Sequence, residues 1–587
     1  MLDSFFRKMK LPKFPVDAPF SADQKSWLSG FLAGVKAVQT STLEDSKQSK
    51  DNPDNVLNIL FGTQTGNAEG LALETADVAK TYGLDTKVQG LDEVDIKDFQ
   101  NMKNVIVSIA TYGEGEMPDN AELFWKDLVS PEMPKLPEMR FGVLALGDTG
   151  YDEFCQAGKL IDMRLEQLGA SRIISRQDCD VDYEDIAASW ISDAVPKLTN
   201  NLSHSDPGEK STRVRSEWNR KNPFPARLSL NKLLSKNGSG KEIRHYEVDI
   251  SDSGIEYSAG DVINVLPVNN STLVSLIIER LDIDPSHIPN GKEQSLEVLL
   301  TSSYEISTPG KKLVTYLEEK LNNESLSKVV KNSDKQALSD YLWGKDILDL
   351  LNIDPDFHFD VDEFLSNLKP LQHRAYSISS SPKKYPDSVH MTISSVRWLT
   401  NNRDHLGVCS TYLADRVNDD QKVKIFMSPN KAFRIPENHE TPMIMVGPGT
   451  GIAPFRAFLD EREIIGASGQ NWLFFGDQTR EFDFIYENEF SEKLKKGILT
   501  KLDLAFSRDQ DEKIYVQDRM LESSAELFRW LEKGAYFYVC GDALRMAKDV
   551  DATLRKIIEM EGNMTSEKAD AYVNNLKKEK RYLRDVY

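Results

Sequence analysis

Apolar residues change their spacing several times along this chain, and each change marks a unit. Residues 56–61, 105–110 and 141–146 are nearly unbroken apolar runs that stop at loops rich in glycine, hydroxyl and acidic residues, with helical spacing between them. Such runs, alternating with helices, predict buried parallel strands in a doubly wound sheet. From Pro223 the period becomes two. Residues 223–231, 244–250, 374–377 and 389–398 alternate as the strands of an antiparallel barrel do. Between about 270 and 367 the spacing turns helical, which predicts an insert within the barrel unit. Apolar runs return at 441–446, 472–476, 502–506 and 538–540, predicting a second α/β unit.

The flanks are different. Ser21 is a helix cap with Gln24 three residues on, and Trp27, Leu28, Phe31, Leu32 and Val35 form one apolar face. Residues 39–55 and 201–222 are polar and aperiodic, as linkers are. The expected organisation is an arm at 1–55, an α/β domain at 56–200, a linker at 201–222, a barrel domain at 223–435 and an α/β domain at 436–587.

Composition narrows the partners. A length of 587 residues suits three or four domains, and no stretch approaches the roughly 20 apolar residues of a spanning helix. A formal charge of -21 argues against nucleic acid and anionic membranes and suits docking on a basic protein face. Cys155, Cys179, Cys409 and Cys540 are far apart, without metal-ligand spacing, which fits a reducing, cytoplasmic setting with neither disulfides nor a metal.

The loops carry the chemistry. Gly62-Thr-Gln-Thr-Gly-Asn-Ala-Glu69 joins a strand to a helix and offers one phosphate the donors of Thr63, Gln64, Thr65, Gly66, Asn67 and Ala68. Thr111-Tyr-Gly113 and the loop after 146 follow the next strands, so Tyr112 and Tyr151 flank the same edge and could sandwich a ring. Arg374-Ala-Tyr-Ser377 supplies a guanidinium for a pyrophosphate, an aromatic for a fused ring and a hydroxyl for its edge. Gly407-Val-Cys-Ser-Thr411 opens a helix opposite. Cys409 there is either a reactive thiol or a small buried filler, with the filler favoured. Gly447-Pro-Gly-Thr-Gly451 is a second phosphate turn. Ser507, Arg508, Lys513, Tyr515 and Gln517 together make a receptor for a dianionic phosphate, the group that separates NADP from NAD.

In this order the motifs resemble the diflavin reductases, over residues 56–587 almost without interruption. The arm, Tyr151-Asp-Glu-Phe-Cys155 and the closing Asp585-Val-Tyr587 are similar to the flavoprotein subunits of NADPH-dependent sulfite reductases. The resemblance implies a multidomain α/β and β fold: a flavodoxin-like domain, a ferredoxin-NADP reductase-like FAD barrel with helical insert, and an NADP-binding domain. It implies that NADPH reduces FAD, FAD reduces FMN, and FMN reduces a partner, here a sirohaem and iron-sulfur haemoprotein subunit, with the arm serving assembly and oligomerisation. FMN contacts would add Leu146, Gly147, Asp148, Phe154 and Cys155. FAD contacts would add Ala375, Tyr376, Thr392, Ile393, Ser394, Trp398, Val408, Cys409, Ser410 and Thr411. Nucleotide contacts would add Gly449, Thr450 and Asp549. Tyr587 would cover the FAD ring, while Ser377, Cys540 and Asp585 would orient nicotinamide and balance the proton. Two alternatives stand beside this one: a general soluble reductase of the cytochrome P450 reductase type, and a catalytically silent flavin-binding assembly subunit.

Overall fold

The computed structural model describes residues 55–64, 66–113, 115–149, 153–198, 217–321, 323–331, 335–418 and 421–587. The arm helix, Thr65, Tyr151 and linker residues 201–216 lie outside the described residues.

The first unit is a parallel sheet. Strands β1 (Val56–Gly62), β2 (Asp85–Gly90), β3 (Asn104–Ala110), β4 (Arg140–Leu146) and β5 (Ser171–Arg172) lie in the order β2-β1-β3-β4-β5, with β6 (Gln177–Cys179) also paired to β4. Helices cover both faces, which is why β3 and β4 are apolar almost throughout. The helix Asn67–Thr81 buries Ala68, Leu71, Ala72, Thr75, Ala76 and Ala79, one stripe of mostly small residues that brings it close to the sheet. The order in which strands are added reverses between β1 and β3, so the loops after those two parallel strands diverge and leave a crevice at the carboxyl edge.

The second unit is an antiparallel sheet. Strands β7 (Phe224–Leu233), β8 (Glu242–Asp249), β9 (Val262–Leu266), β10 (Arg374–Ser377), β11 (Ser388–Ser395) and β14 (Lys422–Ser428) run in the order β10-β9-β14-β7-β8-β11. Between β9 and its neighbour β10 the chain leaves to build helices from Ser271–Leu281 to Val361–Asn367. These enclose a core of their own around Ile277, Leu300, Leu313, Leu317, Leu350 and Phe364. A hairpin of β12 (Arg397–Thr400) and β13 (Arg403–Leu406) stands apart from the sheet.

The third unit is again parallel, with β15 (Met443–Val446), β16 (Asn471–Asp477), β17 (Lys501–Phe506), β18 (Tyr536–Gly541) and β19 (Tyr582–Val586) in the order β17-β16-β15-β18-β19. Its switch point lies between β15 and β18. There the turn after β15 approaches so closely that a side chain at Gly451 would strike the Cys540 carbonyl.

Buried histidines join the second and third units. His245 Nδ1 meets the Tyr486 hydroxyl at 2.8 Å, and Arg456 donates to His390 Nδ1 at 3.2 Å and to the Ser379 carbonyl at 2.8 Å. Burial, reinforced by the Arg456 charge, pushes both histidines down to about 3. The unfolded chain takes up protons near pH 6.5 while the folded one refuses them, so stability is full above pH 6.5 and falls as pH drops towards 3. Each histidine is expected to cost about 1.4 kcal/mol per pH unit in that window. Urea midpoints of the barrel at pH 7.5 and 5.5 check this, and His390→Gln should roughly halve the difference.

Candidate active site

Loops from all three units wall one cleft of about 2280 Å³. On the first unit's side, Thr63 Oγ1 accepts the Gly66 amide at 2.9 Å and the Thr63 amide donates to Asn120 Oδ1 at 2.8 Å. Gln64 and Asp119 are joined by a bond from the Asp119 amide to Gln64 Oε1 at 3.1 Å. The helix carrying Asn67 and Ala68 starts at Gly66 (φ 87°), at the cleft wall, and its first-turn amides have no side-chain acceptor among the described residues. A side chain at Gly66 would meet the Pro429 carbonyl of the barrel. These features fit a terminal phosphate.

Tyr112 and Gly113 follow β3, Leu146 ends β4, and Gly147 and Asp148 follow it, all lining the cleft. Thr111 Oγ1 accepts the Ala157 amide at 3.2 Å, and Lys159 lies over the Phe154 ring. Cys155 is fully buried, and burial pushes its thiol up to about 12, so it packs rather than reacts.

On the barrel side, Arg374 is held by Glu305 of the helical insert at 2.8 Å and by the Gln372 carbonyl at 3.0 Å. Ala375 is exposed to the cleft, while Tyr376 packs against the barrel core. Thr392 and Ile393 of β11 are buried and Ser394 half-buried; Thr392 Oγ1 bonds the Tyr486 hydroxyl at 2.7 Å. Trp398 stacks on His405 and donates to the Gly344 carbonyl at 2.9 Å. Trp398, Val408, Thr411 and Arg416 line a second cavity of about 360 Å³. Arg416 spends its two terminal nitrogens on the Val268, Asn269 and Val408 carbonyls, but its buried Nε has no partner among the described residues. An unmet guanidinium donor beside the turn that opens at Gly407 fits an anionic link such as a pyrophosphate. Ser410 Oγ accepts the Val396 amide and Thr411 Oγ1 donates to the Gly407 carbonyl, so both hydroxyls also brace that turn. Cys409 is buried, and burial pushes its thiol up to about 11, which makes it the filler rather than a reactive group.

On the third unit's side, Gly449 takes a positive φ of 59° and Thr450 Oγ1 meets the Tyr587 hydroxyl at 3.0 Å. Ser507, at the end of β17, bonds the Asp477 carbonyl, while Arg508, Lys513 and Tyr515 are exposed and Gln517 half-buried around the next helix start. Asp549 is exposed in the first turn of the helix Met546–Glu561. Lys241 crosses from the barrel to Asp477 beside Gly449, at 2.5 Å.

Between the flavin and nucleotide sides, Ser377 donates to Asp585 Oδ2 at 2.6 Å and the Cys540 thiol lies 3.8 Å from the same oxygen. Burial raises the Asp585 carboxyl, opposed by these two donors. The three residues expected to act together are therefore one hydrogen-bonded group. Glu305, Lys241 and Arg416 escaped the sequence reading: each lies in a stretch without a motif, and its main partners lie far along the chain.

Three family models match the chain: Flavodoxin over residues 59–190, FAD binding domain over 216–412 and Oxidoreductase NAD-binding domain over 445–552. Curated relatives span nearly its whole length. It is 41% identical to the Sulfite reductase [NADPH] flavoprotein alpha-component of Bacillus subtilis (strain 168), over 96% of this chain and 95% of that protein. The proteins of the same description from Mannheimia succiniciproducens and Vibrio parahaemolyticus are 40% and 39% identical, covering 96% and 97% of this chain and 96% and 93% of theirs. This chain belongs to the sulfite reductase [NADPH] flavoprotein alpha-component family.

Proposed function

We propose that this chain is an NADPH-dependent flavin oxidoreductase that takes electrons from NADPH through FAD and FMN to the haemoprotein subunit of a sulfite reductase. The observation that carries this reading is one cleft lined by Gly66 and Asn67 of the phosphate loop, Ala375 of the Arg374–Ser377 strand, and Arg584, Val586 and Tyr587, with the hydrogen-bonded Ser377–Asp585–Cys540 group buried next to that lining. Flavins, when bound, supply acceptance of an electron pair and its release one electron at a time. The protein supplies position. Thr63, Gln64 and the amides of Asn67 and Ala68 would hold the FMN phosphate, with Tyr112 against its ring. Arg374, pre-aimed by Glu305, and Arg416 would hold the FAD pyrophosphate. Ser507, Arg508, Lys513, Tyr515 and Gln517 would hold the 2′-phosphate, and the Gly449 turn the nucleotide pyrophosphate. Tyr587 would cover the place nicotinamide takes, where Ser377, Cys540 and Asp585 orient it and balance the proton. Acidic charge on the first unit would steer a basic partner face, and the arm at residues 1–55 would serve assembly with that subunit in the cytoplasm.

The test is NADPH-driven reduction of sulfite with and without a purified sirohaem subunit, with cytochrome c reduction as control. Sulfide is expected only when both proteins are present. Cytochrome c reduction without sulfide would move the acceptor to that of a general soluble reductase.

A further inference from the structure

The strand β19 and Tyr587 after it are held from three directions. Arg584 forks onto Asp119 of the first unit, with Nε 3.0 Å from Oδ2, and reaches Glu122 at 3.2 Å. Asp585 turns the other way, onto Ser377 of the barrel. The Val586 carbonyl accepts the Tyr112 hydroxyl at 2.8 Å, and the Tyr112 ring packs against the core cluster that contains Val586 and Tyr582. Burial, with Asp119 nearby, pushes the Tyr112 phenol up to about 12, so it keeps the proton it donates. Lys577 and Lys580 add ion pairs to Glu122 at 2.7 Å and Glu93 at 2.6 Å.

One peptide group concentrates these contacts. The Val586 carbonyl and the Tyr587 amide share a plane. The amide donates to the Gly541 carbonyl of its own unit at 3.0 Å, and the carbonyl accepts from Tyr112 of the first unit. The ring of Tyr587 cannot swing far on its backbone without turning that plane, and turning it breaks one bond or both. Tyr112, expected only as a flavin-stacking ring, thus has a hydroxyl with a separate task.

We propose that Tyr112 and Asp119 are positioning residues for Tyr587: docking of the flavodoxin-like unit clamps the Val586–Tyr587 peptide, so this docking and the displacement of Tyr587 oppose each other. By linkage, whatever docking adds to the cost of moving Tyr587, a ligand that moves Tyr587 adds to the cost of docking. For the nicotinamide ring as that ligand, the inference rests on the placement of nicotinamide given under Proposed function.

Hydrogen exchange at the Tyr587 amide, in the full-length flavin-loaded protein, reads the clamp without reference to turnover. Tyr112→Phe keeps the ring and removes only the hydroxyl; Asp119→Asn weakens the Arg584 pair and is an independent route to the same loosening. At low salt each is expected to exchange about fivefold faster than the parent, the worth of one hydrogen bond. High salt, which screens the exposed Lys580–Glu93 pair and, less strongly, the partly buried pairs of Arg584 and Lys577, should move the parent's rate towards the variants'. Equal exchange in the parent and both variants at low salt, with equal flavin content, overturns the clamp. NADP⁺ should speed this exchange and 2′,5′-ADP, which lacks nicotinamide, should not. Equal responses to the two would overturn the nicotinamide placement, while the clamp is still judged by the variants.

Discussion

Replacing Asp585 by Asn should slow single-turnover reduction of FAD by NADPH about a hundredfold, the scale of losing a positioned proton-balancing group. Asparagine matches the carboxylate in shape and still accepts from Ser377, which now donates to Asp585 at 2.6 Å, so flavin content and NADP⁺ affinity should hold. What disappears is the carboxylate's charge and its capacity to take a proton at the place proposed for nicotinamide. The carboxyl is suited to that exchange because burial raises it while the Ser377 hydroxyl and the Cys540 thiol hold it down. Stopped-flow absorbance of the flavin measures the rate directly. A fall of less than about threefold would remove Asp585 from the reaction and leave it a structural anchor for β19.

Arg508→Ala should weaken NADPH binding by about 2 kcal/mol, or roughly thirtyfold, and leave NADH unchanged. Arg508 is exposed, and its guanidinium has no ion pair among the described residues, so it is free to fork onto a dianion. Its backbone is not free: the Arg508 amide donates to the Gln478 carbonyl at 2.8 Å and the Ser507 amide to the Asp477 carbonyl at 2.9 Å. The loop is thus fixed before ligand arrives, and only side-chain freedom is lost on binding. Titration with both nucleotides decides the matter, since a single 2′-phosphate distinguishes them. Equal losses would place Arg508 on a part the two share.

Much of this was legible in the sequence. Parallel strands buried on both faces, such as β3 and β15, show as apolar runs, and the loops after them show their chemistry because glycine and hydroxyl residues are rare in such surroundings. The helical insert was legible too, as a change of period with no motif in it. Pairings between distant segments were not. Nothing near Arg374 announces Glu305, and nothing near Asp119 announces Arg584, because such pairs are made by the fold and not by local pattern. The contacts of the linker's last residues were not legible for the same reason. Residues 217–222 are polar, yet Trp218 donates to the Ser253 carbonyl and Arg220 bridges the Val181 carbonyl of the first unit and Gln372 of the barrel unit. Composition reports that a segment can be solvated, not whether it finds partners. At Cys409, where the sequence favours a small buried filler over a thiol activated by the helix start, the side chain is enclosed.

The placement of the insert between two paired strands bears on how the protein is made. Ile263 of β9 faces Tyr376 of β10 across the sheet, so the strand expected to grip FAD can join its neighbour only after the whole helical segment has been synthesised. Closing so long a loop costs only a little more than closing a short one, because the entropy rises with the logarithm of length. The delay is kinetic. A pairing of such high contact order forms late, and until it does β9 lacks its β10 neighbour, while β14, on its other side, is made later still. The insert's independent core shortens that exposure: by collapsing first, it brings the ends of its own chain together and delivers β10 to its partner.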